Sequence, residues 1–302
     1  MSSEELKKFT NEINSKIYFD FSLKKTNWFN IGGKAKIYFR PDNLPDLISF
    51  LKKFGDKEKI YILGAGSNTL ISDTTFNGVV IKLGKNFSNI SILPNDIIVA
   101  GSACLDKKLS DFALENEMGG FEFLACIPGT IGGGIKMNAG CFNKEFKDIL
   151  ISIQAIDRVG KVLTIPANKV IFKYRNNDLP DDLVFLSASF KGEKKNKDKI
   201  QKKVFELKNR KEITQPTKTK TSGSTFKNPI NQSDKKVWEL IKESVPLDIS
   251  FGDACISEKH CNFFINKNDA TFEDMNKLIN FVQDAVQRKT GIILEKEIKI
   301  LK

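Results

Sequence analysis

Residues 63–71 read LGAGSNTLI, directly after the strand-like run KIYI at 59–62. A glycine-rich turn behind a strand invites a dinucleotide-binding fold, and the spacing decides against it. The G-x-G-x-x-G fingerprint needs a third glycine and then a helix. Here Thr69 stands at that position, and SDTTFNGVV (72–80) carries no helical pattern. Rossmann and P-loop folds are therefore excluded. Two readings remain: a plain strand-turn-strand connection, or a compact turn whose N–H groups, with Ser67 and Asn68, suit phosphate oxygens.

Outward from this turn, short apolar runs alternate with turn residues. GVVIKLG (78–84), DIIVAGSAC (96–104) and DLVFLSASF (182–190) predict strands, and ILISIQAIDRVGKVLTIP (149–166) predicts two strands around a Val-Gly turn. In DKKLSDFALENEM (106–118), Leu109, Phe112 and Ala113 recur at helical spacing, and Gly119-Gly120 stops the helix. A connecting helix over 198–210, with Ile200, Val204, Phe205 and Leu207, precedes the linker-like TQPTKT (214–219). Beyond it, KKVWELIKES (235–244) predicts a helix. A longer one follows in ATFEDMNKLINFVQDAVQRKTG (270–291), where Thr271 and Asp274 form a capping box and Gly291 closes the stripe of Met275, Leu278, Ile279, Val282 and Val286. IILEKEIKIL (292–301) predicts a final strand.

The fold class is therefore α+β, with a many-stranded first domain and a smaller α/β domain behind it. The expected boundaries are an N-terminal extension over 1–26, a first domain over 27–195, a connecting helix and linker over 196–215, and a C-terminal domain over 216–302.

At 302 residues the chain exceeds what one core usually holds. No run approaches the ~18 apolar residues that span a bilayer, and the start, MSSEELKKFT, is too polar for a signal segment. The expectation is a cytoplasmic protein with no membrane partner. Five cysteines, at 104, 126, 141, 255 and 261, show no C-x-x-C spacing and read as reduced thiols. With His260 the single histidine, a metal cluster or a Ser-His-Asp triad is hard to build, so no metal is expected. The net charge of +11 comes from lysines spread along the whole chain, which argues against a nucleic-acid surface and suits an anionic small molecule.

Two further segments carry candidate chemistry. IPGTIGGGIKMNAG (127–140) holds five glycines in fourteen residues. Each glycine weakens regular structure. The segment reads either as backbone packed on backbone or as backbone passing close to a flat or charged ligand. TSGSTFKNP (221–229) reads either as an ordinary turn or as a loop in which bare Gly223 brings the Ser224 hydroxyl to a ligand.

GAGSN, IPGTIGG with MNAG, YRN (174–176), GSTFKNP and the C-terminal LEKEIKI occur in the order and at the approximate spacing of the UDP-N-acetylenolpyruvoylglucosamine reductase family, MurB. The chain resembles its shorter, second type from about Trp28 to Ile300. The resemblance implies an FAD-binding domain of the vanillyl-alcohol-oxidase type and a C-terminal domain that binds the UDP-sugar, with NADPH as hydride donor.

Residue by residue, it implies that Gly64, Ala65, Gly66, Ser67 and Asn68 hold the diphosphate. Pro128, Gly129, Thr130, Gly132, Gly133, Asn138 and Gly140 would line the cofactor. Ser224 matches the family's proton donor, Arg175 the arginine that stabilises developing charge, and Glu297 the carboxylate that polarises the substrate. Tyr174, Lys227 and Asn228 are the expected substrate contacts, and the chain is expected to act as a monomer.

On their own residues, Arg175 reads as a surface arginine near a helix end, and Glu297 as part of a solvated strand face opposite Ile298 and Ile300. Cys141-Phe142 stands where the family often has Ala-Tyr, and Asn177 where a serine is common. The alternative enzyme is an FAD-dependent oxidase of the same fold acting on an alcohol or sugar, with Cys104, Cys126 or Cys141 available for a covalent flavin link. The alternative of a different class is a basic binding protein without catalysis.

Overall fold

The structure, a computed structural model, describes residues 3–302. Met1 and Ser2, the first residues of the expected extension, lie outside the described residues. The chain forms two compact units. The first comprises residues up to 19, 36–65 and 77–210; the second comprises 20–35, 66–76 and 211–302.

In the first unit, a four-stranded sheet runs in the order Lys16–Ser22, Lys34–Arg40, Phe76–Ile81, Ile60–Ile62, the last two parallel. The helix Leu44–Phe54 covers it. Asn43 caps this helix by accepting from the Asp46 N–H, and Leu47, Phe50, Leu51 and Phe54 are buried against Phe9 and Phe39. A second, five-stranded antiparallel sheet orders Val162–Pro166, Leu150–Ile156, Val184–Lys191, Ile97–Gly101 and Ile90–Leu93. Its first two strands turn at Gly160, whose φ of 80° is the left-handed value a glycine tolerates best. The helix Asp106–Glu115 and the buried rings of Phe121, Phe146 and Phe190 close the core of this sheet.

The glycine-rich segment departs from the expectation of irregular backbone, because Ile131–Lys136 is a short helix. Thr130 caps it, its hydroxyl accepting from the Gly133 N–H at 3.5 Å. Packing explains two of its glycines. A Cβ on Gly134 would fall 2.3 Å from the Phe146 ring, and one on Gly132 would fall 3.1 Å from Ser102 Cβ. The connecting helix runs further than its apolar pattern predicts, from Lys197 to Thr214.

In the second unit the helix Phe272–Thr290 carries the predicted capping box at Thr271 and Asp274 and ends at Gly291 with φ 74°. Met275, Leu278, Ile279, Val282 and Val286 are fully buried against the helix Val237–Ser244 and the strands Ala254–Ile256 and Phe264–Asn266. The expected strand over 292–301 shortens to Lys299–Leu301, which pairs in parallel with Thr69–Ile71. Side-chain amides account for the loss. Gln232 takes both backbone groups of Ile293, and Gln283 donates to the Leu294 carbonyl, so these groups are withdrawn from a ladder. Among the described residues no helix is long and apolar enough to cross a membrane.

Candidate active site

Glu297 sits where the chain passes from one pairing partner to another. Lys296 bridges Phe226 on one side of it, and Lys299 begins the parallel pair with Thr69 on the other. The Glu297 N–H donates to the Thr225 carbonyl at 2.8 Å, and its own carbonyl accepts from Asn68 Nδ2 at 3.1 Å. The second unit therefore brings together three expected site residues, Asn68, Ser224 and Glu297, through main-chain bonds of adjacent segments. The solvated strand face read for Glu297 is not what the structure shows: the residue precedes the strand and is half-buried.

The Ser224 loop is braced on its inner side. Thr225 N–H donates to the Asn262 carbonyl, and the Asn262 side chain both accepts from Phe226 N–H and donates to the Phe226 carbonyl. Gly223 has φ 78°, and a Cβ added there would meet nothing within 4 Å. The glycine is thus required by conformation rather than by crowding, and open space lies over the backbone next to Ser224. Of the expected substrate contacts in this loop, Lys227 pairs with Glu295 at 3.4 Å, and Asn228 Oδ1 accepts from the Val237 N–H at the start of a helix.

Arg175 belongs to the first unit. It lies at no helix end: Phe172–Lys173 and Asn176–Asn177 form a small antiparallel hairpin with Tyr174 and Arg175 at its turn, Arg175 at φ 55°. The guanidinium is held on three sides. Nη2 donates to the Gly140 carbonyl at 3.0 Å, Nη1 lies 3.8 Å from Glu145, and the group sits 4.8 Å from the Tyr174 ring centre. Glu145 is itself fixed by Asn138 Nδ2 at 3.0 Å. Asn138 is fully buried, and its amide also engages Lys173 and Lys147 main-chain groups. It acts on the arginine through Glu145. No sequence signal marks Glu145 or Asn262, because neither stands in a motif of its own.

The expected cofactor segments meet in the first unit at Gly64 and Thr130: a Cβ on Gly64 would fall 2.7 Å from Thr130 Oγ1. The N–H groups at the head of the glycine-rich helix are already used, Ile131 donating to Cys104 and Gly132 to Ser102. What this helix offers a ligand is bare surface rather than free donors. Gly66, Ser67 and Asn68 belong to the second unit, where a Cβ on Gly66 would collide with the Thr26 carbonyl. One polar group stands apart. Asp106 is fully buried, neither carboxyl oxygen has a hydrogen-bond partner, and burial pushes the carboxyl well above its ordinary range. A Cβ on Gly129 would fall 2.6 Å from its Oδ2. The Asp106 carboxyl lies beneath the turn, and the bare glycine backbone beside the Thr130 hydroxyl fits a group rich in hydrogen-bonding oxygens, as a flavin nucleotide is. The sequence gives no hint of Asp106, since an aspartate opening a helix is commonplace.

All five cysteines are free thiols. Cys104 is buried, and burial above all pushes its thiol up to about 11, which leaves it a poor nucleophile for a covalent flavin link.

Residues 35–166 match the family model described as FAD binding domain, and residues 215–301 match the C-terminal domain of UDP-N-acetylenolpyruvoylglucosamine reductase. A protein of that name from Pelagibacter ubique is 79% identical over all 302 residues, 100% of both chains. Another from Rickettsia conorii is 48% identical over 93% of this chain and 94% of its own. The crystal structure of the Thermus caldophilus reductase (MurB) superposes with a TM-score of 0.81 at 26% identity, covering 96% of this chain and 99% of that one.

Proposed function

The chain belongs to the UDP-N-acetylenolpyruvoylglucosamine reductase family of flavin-dependent oxidoreductases, and we propose that it reduces UDP-N-acetylglucosamine enolpyruvate to UDP-N-acetylmuramate with NADPH, for peptidoglycan synthesis. The observation that carries this reading is the joint occurrence of the family's two domains with Ser224 in a loop whose Gly223 leaves open space beside it.

Gly64, Ala65, Gly66, Ser67 and Asn68, with Pro128, Gly129, Thr130, Gly132 and Gly133, would hold FAD. Bound there, FAD would supply the hydride chemistry that links NADPH to C3 of the enolpyruvyl ether. The protein's own task is at C2. With hydride at C3, negative charge develops over C2 and the adjoining carboxylate, and a proton must arrive at C2. Ser224 supplies it from its hydroxyl. A serine is a weak acid, so it can act only on a strongly basic carbon in a site that excludes water and holds the donor in place. The bonds from Asn262 to residues 225 and 226 provide that placement.

Arg175 stabilises the developing carboxylate charge. Its guanidinium stays cationic at any working pH and cannot compete as a proton donor. Glu297 polarises the substrate, with its backbone fixed by Thr225 and Asn68. Tyr174, Lys227 and Asn228 contact the sugar nucleotide.

Anaerobic absorption spectroscopy tests the reading. A yellow protein that bleaches with NADPH and regains its colour on addition of the sugar nucleotide supports it. A protein that reoxidises with oxygen but not with the sugar nucleotide overturns it.

A further inference from the structure

The hairpin that presents Arg175 stands on the glycine-rich helix of the first unit. Asn177, in the returning strand Asn176–Asn177, is buried, and its whole carboxamide is engaged. Nδ2 donates to the carbonyls of Ile135 at 2.9 Å and Lys136 at 3.0 Å, the last two residues of the helix Ile131–Lys136. Oδ1 accepts from the Leu179 N–H at 3.0 Å. Lys136 reaches back from the helix: its Nζ donates to the Leu179 carbonyl at 2.9 Å and pairs with Asp181 at 2.7 Å. The outgoing strand of the hairpin is held at Lys173, whose carbonyl accepts from Asn138 Nδ2 at 3.2 Å.

The last carbonyls of a helix need donors from outside it, and a cap can come from any nearby loop. Here it comes from the residue two beyond Arg175, a span of at most about 7 Å of chain. Only Tyr174 and Arg175 separate the paired strands. So short a lever moves its tip with its foot. The contacts of Asn177 therefore set where the guanidinium stands relative to the helix whose Gly132 and Gly133 are proposed to hold FAD. A carboxamide suits this task, with two donors and an acceptor in one plane. A serine, common in the family at this position, has one hydroxyl donor on a shorter side chain.

We propose that Asn177 is a positioning residue for the reaction, registering Arg175 against the cofactor segment through the hairpin backbone. The inference rests on the role given to Arg175 above and adds a residue that acts only through it. The sequence resemblance assigns no role to this position.

The test is stopped-flow measurement of both half-reactions on the FAD-loaded, full-length chain. Asn177→Ala is expected to slow reoxidation by the sugar nucleotide roughly tenfold or more, and reduction by NADPH less. Asn177→Ser keeps one donor and is expected to fall between the alanine variant and the unmodified chain. In an Arg175→Ala background no guanidinium remains to be placed, so Asn177→Ala should slow reoxidation by less than about threefold further. The same cycle with Asn177→Ser serves should the alanine variant fail to fold.

Reoxidation unchanged in the folded Asn177 variants would overturn the proposal. So would losses that multiply in the double variant, since they would mark a general structural role. Full reoxidation in Arg175→Ala alone would sink the role of the arginine itself, a result obtained without any change at Asn177 and so distinguishable from both.

Discussion

The side-chain amide of Asn68 donates to the Glu297 carbonyl at 3.1 Å, and the Asn68 carbonyl accepts from the Lys299 N–H at 2.9 Å. A residue of the glycine-rich turn thereby fixes the backbone on the C-terminal side of a proposed catalytic carboxylate, whose N–H is held by the Thr225 carbonyl. Misplacing a catalytic group by about 1 Å can cost on the order of a hundredfold in rate. Asn68→Ala is therefore expected to slow reoxidation of the reduced enzyme by the sugar nucleotide by roughly 10- to 100-fold, with a smaller effect on reduction by NADPH. Stopped-flow measurement of the two half-reactions separates these. An equal loss in both would mean that Asn68 acts through the cofactor rather than through Glu297.

Ser224 makes the sharpest kinetic prediction. Its neighbour Gly223 shapes the loop by conformation, and the inner side is braced independently through Thr225, Phe226 and Asn262. Ser224→Ala should leave the loop folded. It should leave flavin reduction by NADPH nearly unchanged and slow turnover of the enolpyruvyl substrate by at least about 10²- to 10⁴-fold, the range of a lost general acid. Retained turnover would move the proton donor elsewhere.

Arg175 is held by Gly140, Glu145 and the Tyr174 ring, and only 18% of its side chain is exposed. A lysine keeps the charge but has neither the planar fork nor the reach to engage a carbonyl and a carboxylate together. Arg175→Lys is expected to lower kcat/KM for the sugar nucleotide by about tenfold or more, a loss of at least ~1.4 kcal/mol of transition-state stabilisation. Glu145→Gln, which weakens the support but not the charge, should cost less. A lysine variant with full activity would show that charge alone suffices.

Periodic segments were legible in the sequence. The stripe from Met275 to Val286 and its capping box appear as read, because a helix start and an apolar face are local signals. Two features were not. The strand expected over 292–301 is interrupted by Gln232 and Gln283, distant residues whose amides displace a ladder that alternation alone favours. The helix at Ile131–Lys136 forms despite three glycines because Gly132 and Gly134 give the close approach to Ser102 and Phe146 that larger residues would prevent. The proposed site residues were legible as motifs. Their supports, Asn262 and Glu145, stand in unremarkable local sequence and become visible only when distant segments are brought together.

His260 provides a prediction about stability rather than catalysis. Its Nδ1 accepts from the Asn262 N–H at 3.3 Å, its ring packs edge-on to Phe263 at 4.7 Å, and its carbonyl accepts from Phe263 N–H at 2.8 Å. Burial lowers its pKa below the ordinary 6.5. The fold therefore prefers the neutral ring, and protonation would remove the acceptor used by Asn262. The stabilisation is complete above pH 6.5, the unfolded value, and is lost as pH falls through the lower folded value. His260→Gln removes this titration. Between about pH 7.5 and about pH 5.5 the melting temperature of the unmodified protein should fall further than that of the variant. Parallel pH profiles for the two proteins would show that His260 is not buried in the neutral form. Since Asn262 also braces the Ser224 loop, the same protonation should slow substrate-driven reoxidation more than reduction by NADPH as pH is lowered.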